Sequence, residues 1–247
     1  MIRTIWVALN LLVGTPLISS IVVLASIFRI DSGIYDWAAR SWSQWALWAA
    51  GARIRTEGLD AVALDQPQVF ASNHVSWFDV WALAAAIPKR YRFVAKKELG
   101  TIPIFGRAWK TAGHISVDRG DRASAVTSLT AAGELIRQDR SSVVIFPEGT
   151  RSATGSLLPF KKGAFMLALH TQVDIVPVAV IGTRAMLPKG GWRVRKGEII
   201  LRFGRAIPTH GYGEHNRDEL IRRVRAAIEE LLAAPVHPHA IEHGGNH

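Results

Sequence analysis

Gln68-Val69-Phe70-Ala71-Ser72-Asn73-His74-Val75-Ser76-Trp77-Phe78-Asp79-Val80-Trp81 reads as a strand, a turn and the start of a helix. The apolar residues 68–71 predict a short buried strand. Ser76-x-x-Asp79 ahead of an apolar run is a capping box, and it predicts a helix that ends near Pro88. His74 then falls on the strand-to-helix turn. On one continuous helix, residues five apart are offset by about 140° and face different directions. With His74 outside the helix and Asp79 in its first turn, the chain folds the imidazole back toward the carboxylate. That orients the ring and stabilises its protonated form, as a general base with an orienting partner requires.

Outward from this stretch, residues 91–95 predict another strand, and residues 96–113, with Gly100, Pro103 and Gly106, an irregular basic and apolar connection that forms a binding wall. Ala125, Leu129, Ala132 and Ile136 recur at helical spacing and predict a helix over residues 122–138. Residues 143–146 predict a strand ended by Pro147, residues 163–171 a helix, residues 175–181 and 199–203 two strands, and residues 218–233 an amphipathic helix. Mixed strands and helices around one sheet give an α/β domain over residues 58–234. Residues 1–57 form a hydrophobic helical membrane-anchoring segment ahead of it, and residues 235–247 a flexible tail. The tail's His237, His239, His243 and His247 are spaced too loosely, among Pro and Gly, to predict a metal site.

No charge interrupts residues 5–28, which are rich in Leu, Ile and Val, and a helix of that length matches the apolar thickness of a bilayer. Gly14-Thr15-Pro16 is expected to kink or split it. Trp37, Trp42, Trp45 and Trp48 follow on a second, mostly apolar segment whose indoles suit the membrane interface. Three readings stand: a bent hairpin in one leaflet, a full span, and a secretory signal with a cleavage site at Val23-Leu24-Ala25. A Trp cluster of this kind also occurs in soluble cores. If the segment spans, Arg29, Arg40, Arg53 and Arg55 outweigh Arg3 and keep the bulk of the protein on the cytoplasmic side of the cell membrane.

The 247 residues carry 30 Lys and Arg against 20 Asp and Glu, a formal charge of +10, which suits a polyanionic partner such as anionic lipid, a phosphorylated substrate or nucleic acid. The chain lacks a nucleic-acid-binding signature, and its basic residues flank the His/Asp pair rather than forming an arm, so no nucleic acid is expected. There is no cysteine, which removes disulfides, thiol nucleophiles and Cys-based zinc sites. Ser and Thr remain, leaving two classes of acyl chemistry: a protein hydroxyl that forms an acyl-enzyme, or a substrate hydroxyl that His74 deprotonates directly. No G-x-S-x-G elbow occurs, and Ser76 is accounted for as a helix cap.

Phe146-Pro147-Glu148-Gly149-Thr150-Arg151-Ser152 follows the strand at residues 143–146. Its glycine lets backbone N–H groups approach an anion, and Arg151 can grip phosphate oxygens in a bidentate fork. Glu148, beside Arg151, is expected to position it. Lys96, Lys97, Arg119, Lys161 and Lys162 lie on neighbouring segments and extend the positive field.

Taken together, Asn73-His74-(four residues)-Asp79 and residues 146–152 resemble the first and third motifs of the glycerolipid acyltransferases of the 1-acyl-sn-glycerol-3-phosphate acyltransferase type. Ala95-Lys96-Lys97-Glu98-Leu99, Gly113-His114-Ile115-Ser116-Val117-Asp118-Arg119 and Val176-Pro177-Val178 are similar to further blocks in the family's order, so the likeness covers roughly residues 73–180. It implies the glycerolipid acyltransferase fold, an α/β domain with a mixed sheet flanked by helices behind an N-terminal two-helix membrane motif. It also implies transfer of a fatty acyl group from acyl-CoA or acyl carrier protein to the sn-2 hydroxyl of lysophosphatidic acid, giving phosphatidic acid, with no metal or other cofactor. In those terms His74 is the base and Asp79 its partner. Glu148, Gly149, Thr150 and Arg151 hold the acceptor's phosphate, with Lys97 and Arg119 beside them. The second block departs from the family at Ile115-Ser116-Val117, where many members carry an aromatic or bulkier apolar residue. Relatives with the same two strongest motifs acylate glycerol-3-phosphate, lyso-ornithine lipid or other lysophospholipids. A thioesterase, with water as acceptor, and a non-catalytic binding protein are the rival classes.

Overall fold

Val69, Phe70, Ala71 and Ser72 are all buried, so the strand they form needs a covering layer on each of its faces. The computed structural model describes residues 1–30, 33–118, 128, 133, 136 and 138–235. Its sheet holds β1 (Ala52–Glu57), β2 (Val69–Ser72), β3 (Tyr91–Lys96), β4 (Ile115–Val117), β5 (Ser142–Ile145), β6 (Ile175–Ile181) and β7 (Gly197–Phe203). The spatial order is β1-β7-β6-β2-β5-β3-β4. β2 to β6 run parallel; β7 is antiparallel to β6, and β1 follows β7.

Alternation along the strands separates two cores. Phe70, Val144, Val176 and Val178 meet Phe78, Ala82 and Leu83 of helix α3 (Phe78–Ala86) on one face. Val69, Ala71, Val143, Ile145 and Ile175 meet the other layer. That layer comprises Phe165 and Ala168 of a helix over Lys162–Thr171, with Leu220, Val224 and Ile228 of a helix over Arg217–Ala233. The connection after β2 therefore leaves over one face and the connection after β5 over the other, although the two strands are neighbours. A crevice opens where adjacent parallel strands part company in this way, at their carboxyl ends.

The first two helices, α1 (Ile2–Ile27) and α2 (Gly33–Ala50), form a hairpin docked on the α3 side. Gly14-Thr15-Pro16 does not split α1, which runs through it unbroken. Gly14 lies against the Trp45 ring, and Thr15 Oγ1 accepts a hydrogen bond from Trp42 Nε1 at 3.1 Å. Trp45 Nε1 donates to Asn10 Oδ1 at 3.0 Å. Buried indoles need acceptors, and these bonds turn Trp42 and Trp45 inward, leaving Trp37 and Trp48 exposed. Asp36 pairs with Arg92 at 2.5 Å and Arg90 at 3.0 Å, fixing the start of α2 to the start of β3. α1 touches the α/β domain near both ends, through Thr4 with Val194 and Val22 with Ala108.

Two further sequence expectations change. The helical N-terminal segment ends at Ala50 rather than at residue 57, because residues 52–57 pair with β7 as an edge strand whose Glu57 binds Arg202 at 2.7 Å. Charged residues on such an edge discourage pairing with another chain. Residues 96–113 are more ordered than a loop, holding a 3-10 turn over Lys97–Thr101 and helix α4 (Phe105–Thr111). Gly106, read as a loop former, lets these two pack closely: a Cβ there would sit 2.3 Å from the Gly100 carbonyl oxygen. The helix expected over residues 122–138 and the tail beyond Pro235 lie largely outside the described residues.

Candidate active site

Ala71 of β2 and Ile145 of β5 are paired in register, and His74 and Glu148 each stand three residues beyond that pair. The two sequence motifs thus emerge side by side at the carboxyl edge of the sheet. Two bonds tie their loops together, and a third closes the second loop on itself. His74 N–H donates to Glu148 Oε1 at 2.7 Å, Ser152 N–H donates to the His74 carbonyl at 2.7 Å, and Leu158 N–H donates to Glu148 Oε2 at 2.9 Å. Asn73 fastens the same turn to β6, donating to the Val180 carbonyl and accepting from its N–H at 2.9 and 2.7 Å.

The His74 ring meets Asp79 as the capping-box reading predicts, with 2.8 Å between Nδ1 and Oδ2. Asp79 is wholly buried and fully satisfied. Its Oδ2 also accepts the N–H groups of Val75 at 2.6 Å and Ser76 at 2.8 Å, and its Oδ1 accepts the Thr183 hydroxyl at 2.5 Å. Ser76 N–H to Asp79 is the reciprocal half of the capping box, while Ser76 Oγ accepts from Phe78 N–H at 3.2 Å and donates to the Leu187 carbonyl at 2.7 Å. That hydroxyl is structural. With two backbone N–H groups and a hydroxyl already donating to it, the carboxylate is an acceptor toward the ring, which places the proton on Nδ1 and the lone pair on Nε2. Phe146 stacks on the imidazole at 4.0 Å between centroids and 17° between planes, fixing the ring from its flat side.

Glu148 does not hold Arg151, as the sequence suggested. Both its oxygens are taken by backbone N–H groups, and it is buried, so it braces the two loops. Burial pushes its carboxyl above the usual range, opposed by those two bonds. Arg151 is placed by Trp77, its guanidinium lying 4.9 Å from the indole centroid, which leaves its fork of N–H donors available to an anion. Gly149 turns with φ 70°, its N–H on the Phe146 carbonyl at 2.9 Å and the Lys161 side chain 3.3 Å from where a Cβ would stand. Thr150 is exposed beside Arg151. Lys97 stands at the end of β3 on the same sheet edge, with its ammonium paired to Asp118; Lys96 pairs with Glu98 at 2.8 Å and Lys162 with Asp218 at 2.8 Å. Arg119 lies outside the described residues.

Sequence reasoning missed Thr183 and Lys189. Thr183 reaches Asp79 across 104 positions, and only its place just past an apolar strand hinted at a site role. Lys189 donates to the Arg151 carbonyl at 2.8 Å and lies 3.5 Å from Thr150 Oγ1, adding a cation to the loop. His114, from the second block, is not a second base. It packs half-buried against Trp109, its Nδ1 accepts the Phe93 N–H at 3.1 Å, and desolvation followed by the nearby Arg92 charge lowers its pKa to about 3.

An apolar cleft, open to solvent, lies between α1, α2, α3 and α4, lined by Val22, Trp42, Phe93, Phe105, Trp109 and His114 among others. Phe93 stacks on Phe146 at 6.5 Å, so the cleft begins two aromatic rings from His74.

An imidazole held by a buried carboxylate stands beside a cationic loop and an apolar cleft, and the family model described as Acyltransferase matches residues 53–181. The chain belongs to the acyltransferase family. Curated relatives include the 1-acyl-sn-glycerol-3-phosphate acyltransferases of Cocos nucifera, 33% identical over 75% of this chain and 60% of that protein, and of Limnanthes douglasii, 33% identical over 78% and 68%. The human alpha enzyme of the same name is 34% identical over 72% of this chain and 63% of its own. The chain thus spans roughly three fifths to two thirds of these relatives' length. Among solved structures, the 1-acyl-sn-glycerophosphate acyltransferase PlsC of Thermotoga maritima shares the acyltransferase fold with a TM-score of 0.79, at 24% identity over 96% of this chain and 97% of that one.

Proposed function

We propose that this acyltransferase moves a fatty acyl group from acyl-CoA or acyl carrier protein to the sn-2 hydroxyl of 1-acyl-sn-glycerol-3-phosphate, giving phosphatidic acid. The observation that carries the reading is the juxtaposition of the His74-Asp79 pair, at 2.8 Å, with the loop bearing Arg151. The acceptor carries its phosphate on the carbon next to the one that bears its free hydroxyl, and the two motifs supply a group for each.

His74 Nε2 takes the proton of the acceptor hydroxyl as the oxygen attacks the thioester carbonyl. The tetrahedral intermediate collapses with cleavage of the carbon–sulfur bond, and the proton passes from Nε2 to the departing thiolate. Atoms and charge balance without a metal, a redox partner or an acyl-enzyme. Base assistance of this kind contributes about 10² to 10⁴-fold, with positioning supplying much of the rest. Arg151 binds the phosphate, Lys189 adds charge beside it, and the cleft next to Phe93 takes acyl chain.

α1 is long and apolar enough to cross a bilayer, and only about a fifth of its most apolar stretch is buried by the protein. Its contacts with the α/β domain near both ends favour a helix lying in one leaflet over a span.

The test is a purified-protein assay with labelled acyl-CoA or acyl carrier protein and an acceptor panel of lysophosphatidic acid, glycerol-3-phosphate, lyso-ornithine lipid and lysophosphatidylglycerol. Labelled phosphatidic acid dependent on lysophosphatidic acid supports the reading. Free fatty acid formed regardless of acceptor identifies a thioesterase, and faster ester formation with another acceptor reassigns the substrate.

A further inference from the structure

Residues 183–197 carry Arg184, Lys189, Arg193, Arg195 and Lys196 without one carboxylate, and Trp192 stands among them. Trp192 is 61% exposed, with the Arg193 guanidinium 5.8 Å from its ring centroid. The segment is pinned at several points. The Leu187 carbonyl accepts the Ser76 hydroxyl at 2.7 Å, Lys189 reaches the Arg151 carbonyl at 2.8 Å, Arg195 N–H bonds the Met186 carbonyl at 2.9 Å, and Val194 N–H bonds Thr4 Oγ1 at 3.0 Å. Between these anchors the turn at residues 190–193 projects outward, and nothing lies within 4 Å of where a Cβ would stand on Gly190.

Topology puts this turn beside the exposed start of α1. β7 is antiparallel to β6, and β1 is parallel to β7, so both begin at the edge where β2, β5 and β6 end. α1 begins there too, its Arg3 donating to the Ala50 carbonyl at 3.0 Å just ahead of β1. Ile2, Ile5, Trp6, Leu9 and Trp48 are exposed on that hairpin.

We propose that residues 187–196 form a headgroup-binding loop for an anionic phospholipid bilayer, which inserts Trp192 at the interface beside α1 and, through Lys189, holds the Arg151 loop at headgroup depth. An exposed indole among cations, continuous with an exposed apolar helix face, matches the boundary between hydrocarbon and anionic headgroups. An acidic soluble protein would complement the cations and leave Ile2, Ile5 and Leu9 in water. Each cation close to an anionic surface contributes about fivefold in affinity. The inference depends on bilayer contact by α1, not on which acceptor is acylated.

The absence of native cysteine allows a direct test on the full chain. Trp192→Cys and, on the far helix, Glu229→Cys are each labelled with a polarity-sensitive fluorophore and mixed with vesicles of phosphatidylcholine alone or with phosphatidylglycerol added. The label at 192 is expected to shift to the blue with phosphatidylglycerol vesicles and the label at 229 to stay unchanged. In flotation, Arg193→Gln/Arg195→Gln/Lys196→Gln is expected to bind phosphatidylglycerol vesicles at least tenfold more weakly than wild type and phosphatidylcholine vesicles equally well. Wild-type flotation with the 192 label remaining in water, or undiminished anionic binding by the triple variant, overturns the proposal. A blue shift caused by acyl carrier protein and not by vesicles reassigns the loop to an acidic protein partner.

Discussion

The Thr183 hydroxyl donates to Asp79 Oδ1 at 2.5 Å inside the protein, opposite the oxygen that faces His74. Asp79 is thereby gripped at both oxygens, and its orientation no longer rests on the Val75 and Ser76 amides alone. Thr183→Val leaves a buried carboxylate oxygen without its donor, while Thr183→Ser keeps the hydroxyl. A hydrogen bond to a charged group is worth about 1.5 to 3 kcal/mol, so kcat of the valine variant is expected to fall about 10 to 100-fold with KM little changed. Recovery of most of the rate by the serine variant distinguishes positioning from a packing defect, and an unchanged kcat in Thr183→Val would remove the role.

His74→Ala removes the proposed base and keeps the backbone that carries the Glu148 and Ser152 bonds. The ring sits at the mouth of the site with Phe146 behind it, so its loss costs the fold little. Turnover is expected to drop by about 10² to 10⁴-fold, with circular dichroism and vesicle binding as for wild type. Near-normal turnover would rule out direct base catalysis.

How far these roles were legible depends on how local they are. The His74-Asp79 contact spans five residues across a capping box, and local hydrogen-bond chemistry predicts it. The buried strands were readable for the same reason, because β2, β5 and β6 are apolar runs bounded by turn residues. Where interaction depends on chains meeting across the sheet, sequence adjacency misleads. Glu148 and Arg151 are three apart and look like partners, yet strand order hands Glu148 to His74 and the β2 turn hands Trp77 to Arg151. β1 went unread because alternating charge in Arg53, Arg55 and Glu57 hides an edge strand that only its β7 partner completes.

Arg151 and Glu148 should therefore fail differently. Arg151→Ala removes a guanidinium whose contact in the fold is the Trp77 face, so stability changes by only about 0.5 to 1 kcal/mol. Its KM for a phosphorylated acceptor is expected to rise about 10 to 100-fold, the value of a charge-assisted bond. Glu148→Gln sets an amide N–H₂ against a backbone N–H and is expected to lower the melting temperature and kcat, with KM for the phosphate conserved. Steady-state kinetics with lysophosphatidic acid beside thermal melts separates the two, and a pure KM effect in Glu148→Gln would return that residue to the phosphate.

Stability toward acid should be governed in part by His114. Desolvation lowers its pKa from 6.5 to about 3, and the neutral ring accepts the Phe93 N–H at 3.1 Å. Between those values the unfolded chain binds a proton that the folded chain refuses, so its contribution to stability is lost as pH falls. The slope is about 1.4 kcal/mol per pH unit for one proton, or about 2 kcal/mol between pH 6.5 and 5. Glu148 acts in the opposite sense: its raised carboxyl pKa gives stability that is fully present below its unfolded value of 4.5 and is lost as pH rises. The difference between wild type and His114→Gln isolates the imidazole, since both proteins keep Glu148. Urea midpoints measured from pH 7.5 to 5 are expected to fall more steeply for wild type than for His114→Gln, and parallel curves would mean that His114 is protonated in the folded protein.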